Sequence, residues 1–194
     1  MAHPAQRQDK LILCLAIFLI SCQQTKNNGI ENFINANELS ITSTNGIKFA
    51  QNKPITGIVY ALYPNKDTAY IKEFRVGKEH GTWKKYHDNG NLHEIRYYEN
   101  GKKEGKFLAY WRGGELKLEY HFENDLYEGT NRVWNPDSTL IQEMNYHKGQ
   151  EEGSQKVWYD NGKIKSNYVI KDGRRYGLLG TKNCTNVSDT IKVK

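Results

Sequence analysis

Large apolar residues return at fixed intervals along this chain. Counted from Gly57 as position one, units of 24 residues begin at Gly57, Gly81, Gly105, Gly129 and Gly153, with Gly177 closing the fifth. Position six reads Leu62, Tyr86, Tyr110, Trp134 and Trp158, position twelve reads Thr68, Leu92, Leu116, Leu140 and Ile164, and position eighteen reads Phe74, Tyr98, Phe122, Tyr146 and Ile170. No stretch sustains a helical period, and aromatic and β-branched residues dominate the runs, so the units are predicted to be strands. In the third unit Leu116, Leu118, Tyr120 and Phe122 alternate with Lys117, Glu119, His121 and Glu123. That is the period of a strand with one covered face and one wet face. Each unit therefore reads as a strand at positions 2–7, a turn at 8–10 and a second strand at 11–19.

The turn chemistry agrees with this division. Asp88-Asn89-Gly90, Arg112-Gly113-Gly114 and Asp160-Asn161-Gly162 supply the positive φ of tight hairpins. The first and fourth units lack that glycine, having Lys66 and Ser138 at position ten, but carry Pro64 and Pro136 at position eight. A type I turn, which proline favours and which needs no glycine, is expected there. Asp125 stands where other units have glycine at position 21, and aspartate tolerates the left-handed region better than most residues.

A fixed period of this length predicts stacked repeats. The fold expected is all-β, a single-domain array of five 24-residue β-hairpin repeats forming an elongated β-meander or solenoid. One unit cannot bury its own apolar side, so the columns at positions six, twelve and eighteen are expected to cover one another between units. Such arrays build long binding surfaces far more often than enclosed active sites.

The flanks are different in character. Residues 1–21 join a basic start to the apolar run LILCLAIFLIS, the layout of a signal peptide, and the run is too short to span a bilayer. Residues 22–37 are polar and Asn-rich, the composition of a flexible tether. Residues 38–56 contain LSITST, Asn45-Gly46 and IKFAQ, a hairpin signal suited to capping the array, because terminal repeats must be atypical to stay soluble. Residues 177–194 are expected to be a C-terminal cap, with Leu178 and Leu179 against the array, and a tail.

Two resemblances bear on identity. The end of the leader, Leu19-Ile20-Ser21-Cys22, is similar to the bacterial lipobox. That resemblance implies lipidation of Cys22 and a lipid-anchored protein of the cell envelope. Gln23 in place of aspartate implies the outer membrane. The unit Gly-x4-Trp/Tyr-Tyr-x-Asn-Gly-x-Leu, followed by Tyr/Phe-x-x-Gly-x-x-Glu-Gly, resembles a MORN-type repeat, in the variant found in bacterial YwqK-family antitoxin-annotated proteins. Tyr86, Asn89-Gly90, Leu92, Tyr98, Gly101 and Glu104 carry it in the second unit, and Gly153–Tyr176 matches as well. The resemblance implies an array of β-hairpins, and among its known roles are scaffolding, membrane-lipid contact and antitoxin action.

Composition narrows the chemistry. The chain has 194 residues and a formal charge of +6, mildly basic and enough for one domain plus a leader. Cys14 leaves with the leader and Cys22 is the lipidation site, so Cys184 is the one cysteine of the mature domain and no internal disulfide is expected. Export argues against nucleic acid as a partner. His80, His87, His93, His121 and His147 share no column, and no spacing matches a metal motif, so neither metal nor cofactor is expected. Glu104, Glu128 and Glu152 share position 24, beside glycine in a turn, where solvation explains them better than acid–base chemistry. No nucleophile elbow, P-loop or dinucleotide fingerprint is present, so no catalytic residue is assigned and the protein reads as non-enzymatic.

The first strand and its turn are more suggestive. Position seven gives Tyr63, His87, Trp111, Asn135 and Tyr159, near Lys84, Lys85, Arg132 and Lys156. With Trp83, this makes Tyr63, Trp83, Lys85, His87, Trp111 and Tyr159 the candidate binding residues of a basic-aromatic stripe. Such a stripe suits an envelope protein partner, an anionic glycan or lipid headgroups.

Overall fold

The computed structural model describes residues 33–180. The signal peptide, Cys22, the first part of the tether, Cys184 and the tail lie outside the described residues. Sixteen strands follow one another: β1 (Phe33–Asn35), β2 (Ile41–Thr44), β3 (Ile47–Ala50), β4 (Lys53–Pro54), β5 (Gly57–Leu62), β6 (Thr68–Arg75), β7 (Lys78–Tyr86), β8 (Leu92–Glu99), β9 (Lys102–Tyr110), β10 (Leu116–Glu123), β11 (Leu126–Tyr127), β12 (Gly129–Trp134), β13 (Leu140–His147), β14 (Gln150–Trp158), β15 (Ile164–Lys171) and β16 (Arg174–Leu178). The fold is all-β, as the period predicts. From β5 to β16 each strand pairs with the next in an antiparallel meander, with β11 set beside β10. Among the described residues no second layer covers this sheet except at its start.

The start is closed in two ways. Phe33–Asn35, assigned from composition to the tether, instead forms a parallel strand against Ile58, Val59 and Tyr60. The Asn37 side chain then takes the amide of Leu62 and gives a hydrogen bond to its carbonyl, at 2.8 and 3.0 Å. Apolar Phe33 and Ile34 on an otherwise polar segment were the signal for this. The second closure is a small sheet of β2, β3 and β4. Asn45-Gly46 joins β2 to β3 with φ of 50° and 78°, the paired left-handed residues of a two-residue hairpin. This sheet packs on the array through Ala50, Ile55, Val59 and Phe74, joined by Ile41, Tyr70 and Trp83.

The strands are phased differently from the expectation. In the second, third and fifth units the first strand starts three residues before its glycine and runs through it, as in β7, which holds Gly81, and β14, which holds Gly153, whereas in the fourth it is broken into β11 and β12. The cause is the turn at positions 20–21. Asn100-Gly101 (51°, 88°) and Asn124-Asp125 (50°, 71°) place both residues in the left-handed region, the geometry whose twist matches a hairpin. Asp125 also accepts the amide of Lys103 through its carboxylate at 2.8 Å. Pairing therefore begins at once on the far side of the turn.

The glycine at position one is a bulge. Across β6 and β7, Ile71 faces Lys84 but Glu73 faces His80, so two residues of β7 have no counterpart. Gly81 sits in the bulge with φ of 61°, and a Cβ there would lie 1.8 Å from a Glu73 carboxylate oxygen. The same slip recurs across β8 and β9 and across β13 and β14. Bulges bend and twist a sheet, and here one recurs at the repeat period.

The turns at positions 8–10 differ from expectation in two units. All five close alike: the position-ten amide bonds the position-seven carbonyl, as Lys66 does to Tyr63 and Gly90 to His87. Position ten is left-handed throughout, including Lys66 at 70° and Ser138 at 59°. Proline sets the type I turn, but closing the strands still demands a left-handed residue after it.

The deep positions also differ. Val59, Ala61, Phe74, Ala109, Met144 and Tyr168 are buried, at positions three, five, sixteen and eighteen. Columns six and twelve are only partly covered, and Ile164 is exposed. Because the long strand starts early, its middle falls on positions one to four, and columns six and twelve fall at the hairpin end of the sheet.

Candidate functional site: the array face and the hairpin ends

The first three members of the position-seven column, Tyr63, His87 and Trp111, stitch successive repeats together, while Asn135 caps its own turn by accepting the Thr139 amide. The Tyr63 hydroxyl donates to the Tyr86 carbonyl at 2.7 Å. His87 Nε2 lies 3.2 Å from the Tyr110 carbonyl, and Trp111 Nε1 donates to the Trp134 carbonyl at 3.3 Å. Asn37 does the same for Leu62 one step earlier. Each stitching side chain reaches position six of the next unit, where the chain leaves the ladder and a carbonyl would lack a partner. Cations sit over two of these rings, Lys117 Nζ at 4.4 Å from the Trp111 ring and Lys165 Nζ at 5.7 Å from that of Tyr159. Tyr159 is the most open of the set, with 40% of its surface exposed.

His87 and His93 stack with ring centroids 4.3 Å apart. The two share no column, yet they meet because positions seven and thirteen face each other across one hairpin end. Burial, then the neighbouring His87, holds His93 below the ordinary imidazole range. Among the described residues no three metal-ligating side chains come together.

Trp83 and Lys85 lie elsewhere, in the middle of β7 on one face. Trp83 packs between Phe74 and Tyr98, with centroids at 5.1 and 4.6 Å, and its Nε1 donates to the Glu73 carbonyl at 2.8 Å. Lys85 pairs with Glu94 at 2.8 Å, and Arg96 pairs with the same carboxylate at 2.9 Å. Burial pushes the Glu94 carboxyl up, but the bonds from Lys85 and Arg96 leave it below the ordinary carboxylate range. The six candidate residues thus form two groups, Tyr63, His87, Trp111 and Tyr159 at the hairpin ends and Trp83 with Lys85 mid-sheet.

That mid-sheet face carries an aromatic row. Beyond Tyr98, Phe107 meets Tyr120 edge-on, and Tyr127 touches Tyr120, Phe122 and Tyr146 with centroids at 5.5, 4.8 and 5.1 Å. Arg96 lies 4.0 Å over the Phe107 ring and Lys103 lies 5.2 Å over Phe122. Position sixteen, expected to be apolar, holds Lys72 and Arg96 in the first two units, and aromatic faces accommodate both cations.

Position three was overlooked by columns chosen for apolar character. It reads Val59, Trp83, Phe107, Asn131 and Gln155, and the last two are buried polar residues. Asn131 accepts the His121 amide at 2.7 Å. The polar breaks in an otherwise apolar column were the available signal.

Two of the three position-24 carboxylates cap turns. Glu104 accepts the Asn124 amide, and Glu128 accepts the Lys148 amide while its other oxygen meets His147 Nδ1, at 2.8, 2.8 and 2.9 Å. The Lys148 amide and His147 hold the Glu128 carboxyl below its usual range.

The fold and these surfaces define a class of protein, a β-hairpin repeat array of the kind that acts as a binding or scaffold module. Residues 79–100 and 151–172 match the family model described as the MORN repeat variant, so two of the five units are similar to that repeat. Both matched segments begin just before the glycine and span one observed hairpin, β7 with β8 and β14 with β15. A search of curated proteins finds no match to the chain.

Proposed function

We propose that the protein is a non-catalytic, lipid-anchored module of the bacterial cell envelope, held in the outer membrane through Cys22, whose repeat face holds a partner protein. The observation that carries the reading is the aromatic row from Phe74 to Tyr146, on a face that no second layer covers beyond the first repeat among the described residues. Partly covered aromatic rings interleaved with cations are the composition of a recognition surface. The leader and its cysteine supply the address and the anchor.

The test is crosslinking of the tagged full-length protein in cells, capture, and mass spectrometry, alongside fractionation of the protein and of Cys22→Ala. Recovery of one envelope protein at near-stoichiometric yield, lost in Tyr127→Ala but kept in Tyr159→Ala, is expected. Retention of the unsubstituted protein in the cytosol would overturn the envelope reading and favour the antitoxin one.

A second reading has one observation in its favour, the seating of Lys117 over Trp111 and Lys165 over Tyr159 at the hairpin ends. There the ligand is an anionic glycan or lipid headgroup. Binding to anionic liposomes or glycans that disappears in Trp111→Ala, with no protein captured, would select it.

A further inference from the structure

We propose that the junction between the capping sheet and the first repeats is a binding site for a small amphipathic organic anion, with an apolar body and a single carboxylate or phosphate head. The cavity there has a volume of about 320 Å³. Ile41, Val59, Phe74 and Trp83 supply apolar wall, and Lys48 and Lys72 supply charge. Nothing in the repeat pattern requires this space. It exists because the small sheet of β2, β3 and β4 leans on the array beside its first bulge.

Lys72 is the central residue. Its Nζ lies 4.4 Å from the Tyr70 ring centroid and 5.0 Å from that of Trp83, so two aromatic rings hold the ammonium at the cavity. It is half-buried, and among the described residues it forms no ion pair. Arg96, the corresponding residue one repeat later, has Glu94 as its partner. Lys48 Nζ meets the Ser43 hydroxyl at 3.1 Å, which leaves it too without a carboxylate. Glu79 is the one carboxylate in the cavity wall, so two cations face one anion and the wall has room for one negative charge. A partly desolvated ammonium is stabilised by an opposite charge more strongly than an exposed one. Burial, with Lys85 and Lys48, holds the Lys72 ammonium below its ordinary range against the opposing charges of Glu94 and Glu79.

The cavity is also rigid. The Lys48 amide donates to the Gly77 carbonyl at 2.8 Å, the Ile55 amide to the Lys48 carbonyl at 3.0 Å, and the Gly77 amide to the Ile55 carbonyl at 2.6 Å. Backbone bonds therefore fix Lys48 against the first repeat. A side chain at Gly77 is excluded, because a Cβ there would lie 2.3 Å from Ile47. The lining mixes apolar wall with hydroxyl and charged groups, which suits a ligand that is itself part apolar and part charged.

The test is isothermal titration of the full chain with octanoate, octyl phosphate and neutral 1-octanol as probes. One-site binding of an anion is expected, with octanol at least about tenfold weaker, since tenfold corresponds to a single ionic contact of roughly 1.4 kcal/mol. Lys72→Met keeps the aliphatic stem against Tyr70 and Trp83 and should weaken anion binding about tenfold while leaving octanol unchanged. Lys48→Met should weaken it in the same direction, and Lys171→Met, an exposed lysine of β15 outside the cavity, should leave it alone. Tighter binding of octyl phosphate than octanoate assigns a phosphate head, and the reverse assigns a carboxylate. Equal affinity for octanol and the anions, no loss in either lysine variant, or no binding to the unsubstituted protein would overturn the proposal.

Discussion

The side-chain amide of Gln155 takes both backbone groups of Asn145, its Oε1 accepting the Asn145 amide at 3.1 Å and its Nε2 donating to the Asn145 carbonyl at 2.8 Å. Asn145 is where the bulge at Gly153 interrupts the ladder between β13 and β14. Gln155 has no exposed surface, so a side chain inside the sheet supplies bonds that the neighbouring strand cannot. Trp83 serves Glu73 and Asn131 serves His121 at the equivalent place.

Gln155→Leu is expected to lower stability by about 2–4 kcal/mol, because it strands three part-buried backbone groups, the amide and carbonyl of Asn145 and the carbonyl of Glu152. Urea unfolding measures it. A loss no larger than that of an exposed substitution would show that water reaches the bulge and replaces the amide.

Ser138→Gly and Lys66→Gly are each expected to stabilise by about 0.5–1 kcal/mol, since an L-residue is strained at positive φ and glycine is not. The measurement is the thermal midpoint, which should rise in both variants. Ala at Gly90 should lower it.

Tyr63→Phe keeps the ring but removes the donor to the Tyr86 carbonyl. A loss of about 1–2 kcal/mol is expected, the cost of a part-buried carbonyl left unpaired. If the midpoint is unchanged, the stitching between repeats is carried by packing alone.

Tyr127→Ala removes three aromatic contacts at once, and about 2–4 kcal/mol is expected from lost burial and ring pairing. Denaturation followed by both fluorescence and circular dichroism would show whether the array still unfolds in one step.

Acid should weaken the fold partly through Glu94. Its carboxyl lies below the ordinary range near 4.5 in the folded protein. The stability it contributes is therefore fully present above that range and is lost as pH falls through the lower folded value. Glu94→Gln should be less stable at neutral pH, and the gap to the unsubstituted protein should narrow in acid. A gap that stays constant with pH would remove Glu94 from the acid response.

The legible part of this structure was its local part. The period, the strand content, the Asn45-Gly46 hairpin and the turn residues all follow from preferences that a few neighbouring residues settle among themselves. The position-24 carboxylates could be read as turn groups for the same reason. Position seven was recognisable as a special column, but its hydrogen-bonding role depends on a carbonyl one repeat further along the chain.

The sequence by itself determined a stack of β-hairpins every 24 residues, because side-chain periodicity and turn stereochemistry act within one unit. Only the tertiary structure decided where each strand begins, that the repeat glycine is a bulge, that positions three and five outrank six and twelve in burial, and that His87 meets His93. These are properties of register. Register is set by hydrogen bonds between strands, and a bulge that offsets the ladder by two residues changes which side chains meet without altering the alternation along either strand.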